Sequence, residues 1–114
     1  MRTLPENIIL MRTEGGSAPL PEIDRSTTTW NHWTGEEGRL LCGIWESEPG
    51  KSDVDYKEWE FCHFIAGKAV LTNEAGESWT LEAGDGFIIP PGFKGTWETI
   101  EKVRKYYVIL LPKP

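Results

Sequence analysis

The stretch Gly84-Asp85-Gly86-Phe87-Ile88-Ile89-Pro90-Pro91-Gly92-Phe93-Lys94-Gly95-Thr96-Trp97-Glu98 decides the fold. Gly84 and Asp85 open it with turn chemistry. Phe87-Ile88-Ile89 is an apolar run of strand length. Pro90-Pro91-Gly92 stops the ladder, because each proline lacks an N–H and fixes φ, while Gly92 can take φ > 0. Thr96-Trp97-Glu98 restores β-type chemistry. The stretch therefore reads strand, tight turn, strand.

The same alternation of strands and turns runs outward in both directions. Towards the C-terminus, Lys102 marks a turn and Val103–Leu111 a last strand, ended by Pro112. Towards the N-terminus, Glu82–Asp85 is a turn. Ala69–Thr72 and Ser78–Leu81 flank Asn73–Glu77 as a hairpin with a five-residue loop. Gly67-Lys68 is expected to turn the chain. Val54–Ala66 reads as a long strand region, broken by a bulge near Lys57-Glu58. Ser47–Asp53 reads as a loop, Arg39–Glu46 as a strand, Gly35–Gly38 as a turn and Thr27–Trp30 as a short strand. Ile8-Ile9-Leu10 fits an edge strand and Gly15–Pro21 a loop. Short, closely spaced strands with almost no helical periodicity mean an all-β sandwich or barrel.

The chain has 114 residues, enough for one domain that buries about two thirds of its unfolded surface. Twelve Lys and Arg against 18 Asp and Glu leave a net charge of −6, with the basic residues scattered. That excludes the basic stripe a nucleic acid wants, and an anionic membrane surface as well. No apolar run approaches the roughly 18 residues of a membrane span. Ile8–Met11 is too short for a signal peptide, so a soluble cytoplasmic protein is expected. Cys42 and Cys62 fit buried thiols, and a disulfide between them is disfavoured in a reducing compartment. Six tryptophans, Trp30, Trp33, Trp45, Trp59, Trp79 and Trp97, suit the interior of a small barrel or the wall of a pocket.

The spacing Gly84, five residues, Pro90, one residue, Gly92 resembles the second motif of the cupins. With Gly95-Thr96-Trp97-Glu98 after the turn, the chain resembles the small single-domain cupins related to (S)-ureidoglycine aminohydrolase. The likeness extends over Gly38–Leu111. It implies an RmlC-like, double-sheet antiparallel β-barrel, or jelly roll, over residues 38–114. Residues 1–37 would be an arm of the same domain carrying edge strands. It also implies a homodimer.

The first cupin motif aligns on Glu60 and Gly67. Its two histidines would fall at Val54 and Tyr56, or at Asp53 and Asp55. The histidine of the second motif would fall at Gly95. Of the family's three-histidine, one-glutamate metal site only Glu60 remains, and one carboxylate holds a metal weakly. No cofactor is therefore expected. The alternative is a transition metal held by Glu60 with His63 and His32.

Strand alternation sorts the remaining candidates. With Glu60 inward, Tyr56, Glu58, Cys62 and Phe64 also face in, while Trp59, Phe61, His63 and Ile65 face out. Gly95 inward carries Trp97 and Thr99 inward. The expected pocket is built from Trp45, Tyr56, Glu60, Cys62, Trp97 and Lys105. Tyr56, Lys94, Arg104 and Lys105 are the candidate partners of a buried Glu60, whose alternative role is simply to hold strands together. Three functions follow from this reading. The first is metal-independent binding of a small polar or carboxylate-bearing metabolite. The second is a metal-dependent enzyme resembling ureidoglycine aminohydrolase. The third is a non-catalytic dimerisation or accessory module.

Overall fold

A computed structural model of the protein describes residues 8–13 and 26–114. Its strands are β1 (Thr27–Gly35), β2 (Leu40–Ser47), β3 (Gly50–Asp55), β4 (Trp59–Asn73), β5 (Ser78–Glu82), β6 (Gly86–Ile89) and β7 (Lys94–Leu110), with a 3-10 turn at Glu36–Gly38. Every pairing is antiparallel. The order is β1-β2-β7-β4-β5, with β3 added to β7 and β6 to β4. The all-β double-sheet architecture expected from the sequence is the one observed.

Two long strands make the spine. The first half of β4 pairs with β6 and with the second half of β7, which also carries β2. The second half of β4 pairs with β5 and with the first half of β7, which also carries β3. Each long strand thus serves both layers. The change of layer sits at a bulge, where the β4–β7 register shifts between Phe64 and Ala69. Gly67 lies in that bulge with φ +93°, and a Cβ there would run into the Lys102 carbonyl oxygen. A left-handed backbone against a close neighbour is tolerated by glycine alone.

That arrangement corrects the turns expected at Gly67-Lys68 and at Lys102. Both are positions where a continuous strand bends, because the residues beside them still pair across the ladder, Ala66 with Arg104 and Lys68 with Glu101. The loop expected at Ser47–Asp53 is also corrected: from Gly50 onward it is β3, paired with residues 94–99 of β7. Its exposed, loop-like residues are held by backbone bonds to a neighbour, so tertiary pairing overrides local propensity. Ile8-Ile9-Leu10 carries no strand. The loop expected at Gly15–Pro21 lies outside the described residues. The β4–β5 hairpin forms as expected, and Asn73 closes it by exchanging hydrogen bonds with Glu77.

The core lies between the layers: Cys62, Phe64, Ala69, Leu71, Ile89, Trp97 and Val103. Phe64 is its centre, fully buried, with ring centroids 5.4 Å from Phe87 and 5.8 Å from Trp97. Burying one such ring contributes about 1.5–3 kcal/mol. Among the described residues no helix is long and apolar enough to cross a membrane.

Candidate functional site

Next to this core the two layers leave a cavity of about 330 Å³, at the small end of the roughly 300–1,000 Å³ typical of ligand sites. One wall is the inner face of the first layer. Leu41 and Trp45 come from β2, Glu60 from β4, and Lys105, Tyr107 and Ile109 from β7. Facing them are Ser52 and Val54 of β3, Trp97 of β7 and Tyr56. Strand periodicity builds both walls, since alternate residues of each strand point inward. Tyr56 sits in the short break between β3 and β4. Its N–H donates to the Phe93 carbonyl (2.9 Å), and its carbonyl accepts from Gly92 N–H (2.6 Å). The Pro-Pro-Gly turn thereby fixes where the phenol points.

The cavity floor is ionic. Lys105 Nζ donates to Glu60 Oε2 at 2.8 Å and to Cys62 Sγ at 3.3 Å, and Cys62 Sγ donates to Glu60 Oε2 at 3.3 Å. Glu60 and Lys105 are only 5% and 4% exposed. The ammonium also stands 4.6 Å from the Trp45 ring centroid and 4.9 Å from that of Trp97, within cation–π range. The two indoles meet edge to face at 5.6 Å. Trp97 is fixed in turn by a polar chain. Its Nε1–H donates to Thr99 Oγ1 (3.0 Å), Thr99 to Ser47 Oγ (3.2 Å), and Ser47 to the Glu48 carbonyl (2.9 Å).

Burial and charge set the protonation of these groups. Burial pulls the Lys105 pKa down, but Glu60, Cys62 and Tyr56 more than offset this and raise it, so the ammonium stays charged. Burial pushes the Cys62 thiol up to about 12 and raises the Tyr56 phenol as well; the Lys105 charge opposes both shifts without cancelling them. At neutral pH the floor therefore holds one cation, one thiol and one phenol around Glu60. Lys105 is a fixed hydrogen-bond donor and not an amine nucleophile, and Cys62 is not a thiolate.

Of the six pocket residues expected from sequence, Trp45, Tyr56, Glu60, Trp97 and Lys105 line the cavity. Cys62 lies beneath it, fully buried and bonded to the ion pair. Among the candidate partners of Glu60 the structure selects Lys105. Lys94 lines a separate groove, and Arg104 pairs with Glu46. Sequence reasoning misses Thr29, Leu41, Ser52, Val54, Tyr107 and Ile109 as lining residues. The inward alternation of Leu41, Gly43 and Trp45, and of Lys105, Tyr107 and Ile109, is the signal that could find the three missed positions on β2 and β7: Leu41, Tyr107 and Ile109. Ser52 and Val54 are hidden by the loop-like composition of β3.

The alternative metal set is not brought together. His63 stacks on Tyr106, ring centroids 6.4 Å apart, on the outer side of β4 and β7. His32 is on β1, its ring nitrogens bonded to the backbone of Trp30 and Arg12. The residues at the family's metal positions do not fit a divalent ion either. Val54 offers no donor and Tyr56 a protonated phenol, while Asp53 and Asp55, the other pair at these positions, line a separate groove and not this cavity. Glu60 Oε2 is already occupied by an ammonium. A Cβ on Gly95 would run into the Thr72 carbonyl oxygen, so that backbone has no room for a histidine. Among the described residues no group of three or more His, Cys, Asp or Glu is arranged to hold a metal. Both cysteines are free.

Solved structures resemble this one. A DUF861 family protein of Thermotoga maritima is 38% identical over 56% of this chain and 73% of that one, with a TM-score of 0.55. The EutQ protein of Clostridium difficile is 26% identical over 74% of this chain, with a TM-score of 0.65; the chain spans 61% of that protein's length. The ectoine synthase of P. lautus, 15% identical over 79% of this chain and 67% of that one, shares the fold with a TM-score of 0.68. A comparison with curated proteins found no match. The sequence signature of the EutQ-like cupin domain matches residues 34–107. The chain belongs to the EutQ-like cupin domain family.

Proposed function

We propose that this cupin binds a small polar metabolite in the barrel without a divalent metal. The observation that carries the reading is a cavity of about 330 Å³ whose apolar walls converge on three polar groups, Tyr56, Glu60 and Lys105. Pockets of that character, mostly apolar with a few fixed polar groups, are the usual form of a small-molecule site. The Tyr56 hydroxyl has no hydrogen-bond partner among the described residues, so it is spare for a ligand and Tyr56→Phe should fold normally. A panel of small polar metabolites, screened by thermal shift, tests the proposal. A binder should raise the melting temperature, and Tyr56→Phe should weaken it. If no compound stabilises the protein, or if Tyr56→Phe leaves every affinity unchanged, the reading fails.

A ureide-hydrolysing activity of the ureidoglycine aminohydrolase type is the rival reading, supported by the residues around Pro90–Glu98. It needs a metal, which the occupied Glu60 and the closed Gly95 position argue against. We also propose a homodimer. It is supported by Phe61 and Ile88, which face each other in register on the outer side of β4 and β6 and are 36% and 56% exposed. Exposed large apolar side chains in one patch suit a subunit contact.

A further inference from the structure

The charge balance inside the barrel narrows the ligand. Among the described residues that line the cavity, Glu60 and Lys105 are the only charged ones, and they neutralise each other at 2.8 Å. Among them no further charge is left to receive a charged ligand, and an uncompensated buried charge is strongly disfavoured.

On the cavity floor three hydrogen-bonding functions nevertheless stay open, in addition to the Thr29 and Ser52 hydroxyls of the walls. Both contacts to Glu60 fall on Oε2, and Oε1 has no hydrogen bond among the described residues. No buried side-chain N or O atom there lacks a partner, so an unbonded Oε1 must be accessible. Lysine has three N–H donors, of which Lys105 spends one on Glu60 and one on Cys62. The Tyr56 hydroxyl beside them has no hydrogen-bond partner among the described residues. The open set on the floor is thus one acceptor, one strong donor and one hydroxyl, next to the indoles of Trp45 and Trp97.

We propose that the cavity selects a small, net-neutral, planar compound carrying an N–H donor beside a carbonyl oxygen, the pattern of a primary carboxamide, over carboxylates and amines of the same size. The carbonyl oxygen accepts from Lys105 Nζ and Tyr56 O–H. The amide N–H donates to Glu60 Oε1. The planar group lies flat on one of the two indoles and meets the other edge-on, because Trp45 and Trp97 are perpendicular. This rests on the cavity being a ligand site, and deepens that reading.

Propionamide, propionate and propylamine, matched in size, are the probes. Each is titrated into the ¹⁵N-labelled full chain, following the indole N–H resonances of Trp45 and Trp97 assigned by single Trp→Phe variants. Propionamide should bind at least about tenfold more tightly than either charged probe, a gap of about one decade in Kd. Glu60→Gln leaves Lys105 as the only cavity charge and should reverse the order in favour of propionate. If propionate or propylamine binds the wild type as well as the amide does, through the same resonances, the ligand class is overturned and the cavity reading stands. If none of the three moves those resonances, the inference falls; if the metabolite panel also fails, the cavity reading falls with it. Should Glu60→Gln not fold, the wild-type order alone decides.

Discussion

The ammonium of Lys105 lies 2.8 Å from Glu60 Oε2, and both side chains are buried at the floor of the barrel. In this chain an amino-acid side chain supplies the positive charge beside the cupin glutamate.

Breaking this pair from one side should be costly. Lys105→Met strands a buried carboxylate and should lose about 3–5 kcal/mol of stability. The double variant Glu60→Met, Lys105→Met should recover most of that loss, since an apolar replacement of a buried pair is often neutral or better. Urea unfolding of the wild type, both single variants and the double variant measures the coupling. A Lys105→Met protein within about 0.5 kcal/mol of wild type would mean that the pair is not formed.

Stability should fall in alkali. Cys62 and Lys105 both hold their protons more tightly in the folded chain than in the unfolded one, so the folded state binds more protons as pH rises and the slope is negative. The Cys62 contribution is complete below the ordinary value of 9.0 and is lost as pH climbs toward about 12. Lys105 adds to the loss above its ordinary value of 10.5. One proton gives a slope of about 1.4 kcal/mol per pH unit. Cys62→Ala should reduce the part that begins near pH 9.0, leaving the contribution of Cys42, whose thiol burial also raises, and the later part. Urea midpoints measured across this range check it, and an unchanged slope in Cys62→Ala would contradict the assignment.

Restoring the family's histidine should not restore a metal site. In Gly95→His the new Cβ meets the Thr72 carbonyl oxygen, a backbone atom that cannot move aside. Overpacking of this kind costs about 1–3 kcal/mol or more. The variant should melt below wild type, and zinc or nickel should not raise its melting temperature. A metal-dependent rise would show that β7 can shift enough to admit the ring.

The outer face of β4 and β6 should carry the subunit contact. Phe61→Lys puts a charge in the patch it shares with Ile88, opposite it in register. Sedimentation velocity should show a dimer for wild type and a monomer for the variant, with the same circular dichroism spectrum. A wild-type monomer would remove the proposal.

Much of this molecule was legible in the sequence. Apolar alternation and Pro-Gly punctuation specify strands and turns locally, so β2, the β4–β5 hairpin, β6 and the Pro90-Pro91-Gly92 turn were readable residue by residue. Period-two alternation also separated Glu60, Cys62 and Phe64 from Phe61 and Ile65, because the pleat sets facing without reference to the rest of the fold. Tertiary structure alone decided the rest. Gly67 and Lys102 look like turn residues, and only the pairing of β4 with β7 makes them bends in continuous strands. Gly50–Asp53 has loop composition, and only the hydrogen-bonding edge of β7 makes it a strand. Lys105 was one of four candidate partners that could have met Glu60. Which one did depends on the β4–β7 register, which sets Lys105 opposite Phe64 and on the same inner face as Glu60. Register and closure are relations between segments distant in the chain, and no local pattern encodes which buried acid finds which buried base.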